Sequence, residues 1–373
     1  MPIRHRLTVG LITAALCAPA AVPAQSSGSS PLRAPRQWPP VFQFVRVAPD
    51  IYAAIEPQNS TGLVHGNSVF VINDSDVFVV DANHTPSAAR ATIAQLRAVT
   101  SKPVRTIVYT HWHNDHNLGA SAFADSYSGP IRIIATDSTR DDMQHRFVEK
   151  SKTRDSTYYD RQSTVYDTMY ANGHDLAGRP LTPWRRVQMA DLVKAFRNYY
   201  GPQAAAAHYL LPTETFADRM TIYGGARELD LLGYLHGNTR NDAVVFLPKE
   251  KIVITGDILV YPVPYTPPDH LAGWVTALHS IKALGATTIV PGHGPVMTDY
   301  RYLDLLVETL NSIIVQAERA AAAKLDRAAA KKSIDVARFR PLFAHGDPVL
   351  EDDFDEFSDA VADLAYTEAR PAP

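Results

Sequence analysis

The sequence predicts an α/β fold in which two sheets pack face to face with helices outside. Short apolar runs of strand type fall into two blocks, each block carries an amphipathic helical pattern, and a polar, tyrosine-rich stretch lies between them. In the first block, strand-like runs occur at 41–47, 68–72, 77–80, 104–110 and 131–135, with a helical pattern at 87–99 between the third and the fourth. The second block has runs at 220–223, 228–234, 243–247, 251–255 and 288–290, and residues 271–284 read as a helix before the last of them. No repeat of short period is present.

Residues 138–218 break this rhythm and read as a helical insert, with 191–200 its clearest amphipathic piece. The insert leaves after the strand that follows a histidine cluster at 111–116 and returns before the strand leading to His236, so the expectation is a lid whose Tyr158, Tyr159, Tyr166, Tyr170 and Trp184 wall a substrate. After the second block, 303–332 reads as one or two helices with an alanine-rich middle, and 351–365 as a short acidic helix with a solvated face. The expected organisation is a main domain at 41–300 holding the insert, and a helical C-terminal extension at 301–373.

The chain has 373 residues, of which 46% are hydrophobic and 20% charged, enough apolar material for a sizeable core and too much for a disordered chain. A formal charge of -3 lacks the basic footprint of a nucleic-acid binder. At the start, Arg4, His5 and Arg6 precede an apolar run at 7–17, and small residues lead to Val22-Pro23-Ala24. That order is the order of a secretory signal at 1–24, followed by a Ser-, Pro- and Gly-rich linker at 25–40. Pro19 and Pro23 cut the run short of the ~20 residues a membrane span needs, so stable membrane insertion is not expected. Export to the periplasm or beyond is expected. The single cysteine, Cys17, would leave with the signal, and losing Arg4 and Arg6 would take the formal charge from -3 to -5.

The chemistry concentrates after the run at 104–110, where the chain reads His111-Trp112-His113-Asn114-Asp115-His116. Histidines at i and i+2 leaving a strand point the same way and can hold one ion, and the following turn can aim Asp115 and His116 at a neighbouring point. Three imidazoles in such proximity gain nothing without a metal. His65, His84, His145, His174, His208, His270, His279 and His345 have no ligand-spaced partner and read as surface or hydrogen-bonded groups. Among them His84, three residues past Asp81 at a strand end, is the one least readily set aside.

H-x-H-x-D-H after an apolar strand resembles the signature of the metallo-β-lactamase superfamily, and the other stations of that pattern follow in order. Val77-Phe78-Val79-Val80-Asp81 ends an early strand in aspartate. Leu235-His236-Gly237-Asn238-Thr239 supplies a histidine in a glycine-containing loop. Ile252-Val253-Ile254-Thr255-Gly256-Asp257 and Ile289-Val290-Pro291-Gly292-His293-Gly294 supply an aspartate and a last histidine after strands. The resemblance covers about 41–299.

It implies an αββα sandwich with two divalent ions at one sheet edge. His111, His113 and His236 would hold one ion, Asp115, His116 and His293 the other, Asp257 would bridge them, and Asp81 would orient a ligand from behind. Imidazole and carboxylate donors suit zinc and also admit iron or manganese. The implied reaction is attack on a carbonyl by a metal-bound hydroxide, with Asp115 as ligand and orienter, on an ester, lactone, thioester or amide small molecule. No G-x-S-x-G turn offers a serine nucleophile instead. The absence of cysteine from the mature chain excludes the cysteine-bearing β-lactamases. A histidine-rich β-lactamase, an iron-dependent persulfide dioxygenase and a non-catalytic metal-binding protein are the alternatives.

Overall fold

The apolar runs assemble into two sheets, in a computed structural model that describes residues 41–56, 65–149, 157–175, 178–264 and 270–370. The signal at 1–24 and the linker at 25–40 lie outside the described residues. The first sheet has seven strands in chain order: β1 (Gln43–Ala48), β2 (Ile51–Ile55), β3 (Ser68–Ile72), β4 (Val77–Val80), β5 (Val104–Val108), β6 (Arg132–Thr136) and β7 (Glu214–Phe216). Pairing is antiparallel from β1 to β4 and parallel from β4 to β7. The second sheet has five strands: β8 (Arg219–Gly224), β9 (Arg227–Leu235), β10 (Asn241–Leu247), β11 (Ile252–Val260) and β12 (Thr288–His293), with only the β11–β12 pair parallel.

β4 reads Val-Phe-Val-Val without polar alternation because both of its faces are covered, and all four residues are buried. Phe78 and Val80 face the second sheet and share a core with Val245, Ile254 and Val290. Val77 and Val79 face outward, under α1 (Pro86–Val99) and α3 (Ala120–Ser126), which follow the short α2 (Asn114–Asn117). Each such side chain contributes about 1.5–3 kcal/mol by leaving water, so this doubly covered strand anchors the segment that ends in Asp81.

The outer face of the second sheet carries α8 (Leu271–Ala283), α9 (Arg301–Ala322), α10 (Arg327–Ser333), α11 (Arg340–Ala344) and α12 (Pro348–Ala369). Residues beyond 300 therefore complete the sandwich and share one core with α8 and the sheet. The stretch at 303–332 is two helices, separated where Asp326 caps α10. The acidic helix is longer than 351–365, and one of its faces is not solvated: Phe354, Phe357, Val361 and Tyr366 are buried. Its carboxylates meet cations instead, Asp359 with Lys331 and Asp353 with Arg185.

Two strands escaped the sequence reading. β2 is Ile-Tyr-Ala-Ala-Ile, and its alanines carry little strand preference, so its form comes from pairing with β1 and β3. β7 has three residues and returns the insert to the sheet edge beside β6.

The insert is helical, as expected: α4 (Asp137–Met143) runs on into a π-helical turn, followed by α5 (Thr157–Asn172), α6 (Pro183–Ala195), a second π-helical turn at Phe196–Tyr200 and α7 (Gly201–Ala206). Met189, Leu192, Phe196 and Tyr200 form its own small core. Arg185 of α6 pairs with Asp353 and Glu356 of α12, 2.9 Å from each. Tyr166 stacks on Phe196 inside the insert, while Tyr170 and Trp184 are exposed. The side chains of Tyr158 and Tyr159 lie outside the described residues. Among the aromatics that meet the body are Tyr199, which shares hydrogen bonds of 2.8 Å with Thr85 and Ser87, Tyr200, which packs on His84, and Tyr209, which donates to Asn114 Oδ1 at 3.2 Å.

Candidate metal centre

Strand ends deliver the site. β4 ends in Asp81, β5 leads to the histidine cluster, β11 carries Asp257 and β12 ends in His293. β11 continues past 255 to Val260, and the register shifts at Gly256, whose φ is 53°. This irregularity re-aims the next side chain, Asp257, out of the strand alternation. The two sheets are joined at this edge by hydrogen bonds from Asn67 N to Gly292 O (2.8 Å) and from Ala243 N to Thr110 O (2.7 Å).

Six of the seven expected ligands come together in two sets that share Asp257. One is Asp115, His116, Asp257 and His293; the other is His111, His113 and Asp257. Within the first set, His116 Nε2 is 3.1 Å from Asp257 Oδ1, 3.3 Å from Asp115 Oδ2 and 3.3 Å from His293 Nε2. His293 Nε2 is 3.1 Å from Asp115 Oδ2 and 3.3 Å from Asp257 Oδ1. Donors held about 2.0–2.1 Å from a tetrahedral ion stand about 3.3–3.4 Å apart, so these spacings fit a zinc-sized cation. In the second set, His111 Nε2 is 3.6 Å from Asp257 Oδ2, and the His111 and His113 rings are 4.5 Å apart.

Donor counting fixes which nitrogens face inward. Thr110 Oγ1 donates its only proton to Asp81 Oδ2 at 2.8 Å, so its 3.0 Å contact with His111 Nδ1 has the imidazole as donor. That leaves His111 Nε2 as an acceptor, buried and without a hydrogen-bond partner among the described residues. A buried lone pair of this kind is costly unless a cation meets it, and the residues therefore fit a metal. His116 Nδ1 lies 2.7 Å from the same Asp81 Oδ2, so one carboxylate aims two ligands. Asp81 does this from a left-handed backbone, φ 59°, that non-glycine residues adopt rarely.

Burial opposes charge on every member, and the neighbours decide the outcome. For His116, burial is outweighed by Asp257, Asp115 and Asp81, which hold the ring protonated well above its ordinary range. His293 is likewise raised, to about 9, by Asp257 and Asp115 against burial. Asp115 and Asp257 are held well below the carboxylate range, burial again being overcome by the imidazoles. His111 and His113 go the other way: burial lowers both, most strongly His111, where the charge of His116 adds to it. At Asp81, burial exceeds the pull of His116 and raises the carboxyl.

The seventh expected ligand, His236, is not in either set. It is exposed at φ 57° in the turn after β9, with its ring 5.2 Å from that of His270. His84 is also outside both sets, buried between His65 and Tyr200. Two glycines with no role evident in the sequence let the ligands close in. A Cβ at Gly292 would stand 2.0 Å from Asp257 Oδ1, and one at Gly66 2.5 Å from the His116 ring. Gly292 stands beside His293 in the run Ile289-Val290-Pro291-Gly292-His293, whereas Gly66 lies in no local pattern that reveals it.

The sequence profile of the metallo-beta-lactamase superfamily matches residues 61–293. A linear primary-alkylsulfatase of Pseudomonas sp. is 26% identical over 258 residues, 64% of this chain and 43% of that protein. An alkyl/aryl-sulfatase of Saccharomyces cerevisiae is 33% identical over 78 residues, 20% of this chain and 12% of that protein. The chain thus spans less than half the length of these curated relatives. Among solved structures, an inverting sec-alkylsulfatase of Pseudomonas sp. superposes with a TM-score of 0.58 at 15% identity, over 88% of this chain and 50% of that one. With the profile spanning every station from Asp81 to His293 on two sheets layered with helices, the chain belongs to the metallo-beta-lactamase superfamily.

Proposed function

We propose that this chain is an exported, metal-dependent hydrolase of small alkyl sulfate esters that works with two divalent ions, zinc foremost. The observation that carries the reading is the pair of donor sets sharing Asp257, which supplies imidazole and carboxylate to two neighbouring points. Bound divalent ions would acidify a water molecule and stabilise negative charge developing on the ester. His111, His113 and Asp257 would hold one ion, and Asp115, His116, Asp257 and His293 the other. Asp81 keeps Nε2 of His111 and His116 turned inward through Nδ1. Asp115 is one-fifth exposed where His116 and His293 are buried, so its carboxylate can accept a hydrogen bond from the attacking water. Exposed Leu235, next to His236, offers apolar surface to an alkyl chain.

The choice of a sulfate ester over the carbonyl substrates implied by the motif rests on the two curated relatives, an alkylsulfatase and an alkyl/aryl-sulfatase. Hydrolysis consumes one water and gives an alcohol and hydrogen sulfate. The test sets zinc-loaded protein against medium-chain alkyl sulfates, lactones, thioesters, a penicillin and a carbapenem side by side, with His111→Ala as control. Sulfate release that disappears in the control supports the reading; turnover confined to a carbonyl panel overturns the substrate. Export rests on the basic-apolar-small order of residues 1–24, and mature protein in the periplasm or medium should begin at Gln25. No helix among the described residues is long and apolar enough to cross a membrane.

A further inference from the structure

Two residues before β3, on no motif, reach across the metal edge. Asn67 is 4% exposed, and its side-chain Nδ2 donates to Pro291 O at 2.9 Å and to Gly294 O at 2.8 Å. Its backbone N donates to Gly292 O at 2.8 Å. Three bonds from one residue therefore grip the backbone on both sides of His293. Gly66 works on the other ligands of the same set. Its N donates to Asp115 O at 3.0 Å, and its Cα lies so close under the His116 ring that any side chain there would collide. Asn83 Nδ2 holds Gly66 O at 3.1 Å, so the pair is itself fixed to the loop after Asp81.

The amide at 67 comes at an energetic cost. Its Oδ1 is buried with no hydrogen-bond partner among the described residues, a desolvation cost that an apolar residue would not carry. A group this unfavourable is retained only if its donors do something a hydrocarbon cannot. Those donors end on the β12 turn and nowhere else.

We propose that Asn67 is a positioning residue for one of the two metal sites: with Gly66 it sets Asp115, His116 and His293 at ion spacing, and it leaves the set of His111 and His113 untouched. This rests on the two-ion reading above. Neither His111 nor His113 is hydrogen-bonded to Gly66 or Asn67: His111 is aimed through Thr110 and Asp81, and the His113 carbonyl is held by Asn117 Nδ2 at 2.7 Å. A general brace would support both sets alike, so selectivity between them distinguishes positioning from bracing.

The test is a cobalt(II) titration of full-length, metal-free protein followed by d–d absorption. The phases are assigned with His113→Ala and His293→Ala. In Asn67→Ala, the phase lost in His293→Ala should weaken by roughly ten- to a hundredfold, and the phase lost in His113→Ala should stay at its wild-type affinity. Circular dichroism of the metal-free variant checks the fold. If Asn67→Ala does not fold, Asn67→Ser keeps one donor and should show the same selective weakening to a smaller degree. Equal weakening of both phases, or wild-type affinity in both, overturns the proposal. A wild type that takes up no cobalt overturns the two-ion reading itself, and is distinguishable because it fails before any variant is compared.

Discussion

The two donor sets share Asp257 yet are held in different ways. His116 and His293 are gripped from behind by groups distant in sequence: Asp81 on the His116 ring, Ala82 N on its carbonyl at 2.7 Å, Gly66 beneath it and Asn67 around His293. His113 is partly exposed at the start of α2, and His236 stands off in its turn. Where many fixed contacts converge, the ligands are preorganised for an ion. Where few do, as at His113 and His236, the side chains are less constrained. The difference teaches that one motif of six residues, His111 to His116, feeds two donor sets held by unequal numbers of fixed contacts.

The largest expected effect comes from the residue common to both sets. Asp257→Ala should abolish both cobalt phases and lower turnover by more than the roughly 100-fold that loss of a partner behind a ligand costs, because two cations would repel each other with less negative charge between them. Wild-type loading in that variant would remove the shared carboxylate from the comparison. Asp81→Asn comes next. The amide keeps the shape of the carboxyl but removes its charge, and it should weaken the gripped set by about 10–100-fold while Thr110 goes on orienting His111. Equal loss at both sets would mean that Asp81 acts through Thr110 as strongly as through His116.

Acidification should separate the sets more gently. His293 is raised to about 9 and His116 stands well above its usual range, so below that pH an ion must displace their protons. His111 and His113 are lowered by burial and are already neutral at pH 7. A protonated ring cannot ligate, so apparent affinity at the gripped set should fall by up to about tenfold per pH unit for each displaced proton as pH drops from 9 toward 6. Affinity at the open set should hold over the same window. Calorimetry in buffers of different ionisation enthalpy would count the protons, and equal release at both sets would contradict the assignment. The smallest effect is expected at His236. His236→Ala should leave the gripped set unchanged and weaken the open one by about tenfold or less, since the ring must travel from its exposed position to contribute; no change would mean that the open set is complete with three donors.

How far the site was legible follows from how its residues are spaced. His111, His113, Asp115 and His116 are neighbours on one strand-to-helix turn, so alternation and donor type announce them. Asp81, Asp257 and His293 each terminate or interrupt an apolar run, a placement a sequence can display. Gly66 and Asn67 belong to no run and no donor class, Gly292 sits in the run of His293 without being a donor, and the importance of all three exists only where the residues before β3 meet β12. The insert behaves similarly. Its helices were legible, and its amphipathic piece at 191–200 pointed to the face that ends in Tyr199 and Tyr200, but aromatic content alone singled out Tyr166, which serves the insert's own core. The acidic helix α12 was misjudged for a related reason: charge is visible in sequence, and the arginines that neutralise it come from α6, α10 and α11.

The sequence by itself determined the two blocks of strands, the helical insert and the chemical identity of the donors, because hydrophobic periodicity and ligand type are properties of contiguous residues. The tertiary structure alone decided which nitrogens face inward, which set is held by more fixed contacts and where His236 rests. Those properties depend on hydrogen bonds between residues as far apart as Asn67 and Pro291, and such bonds form only after two sheets of fixed register have packed.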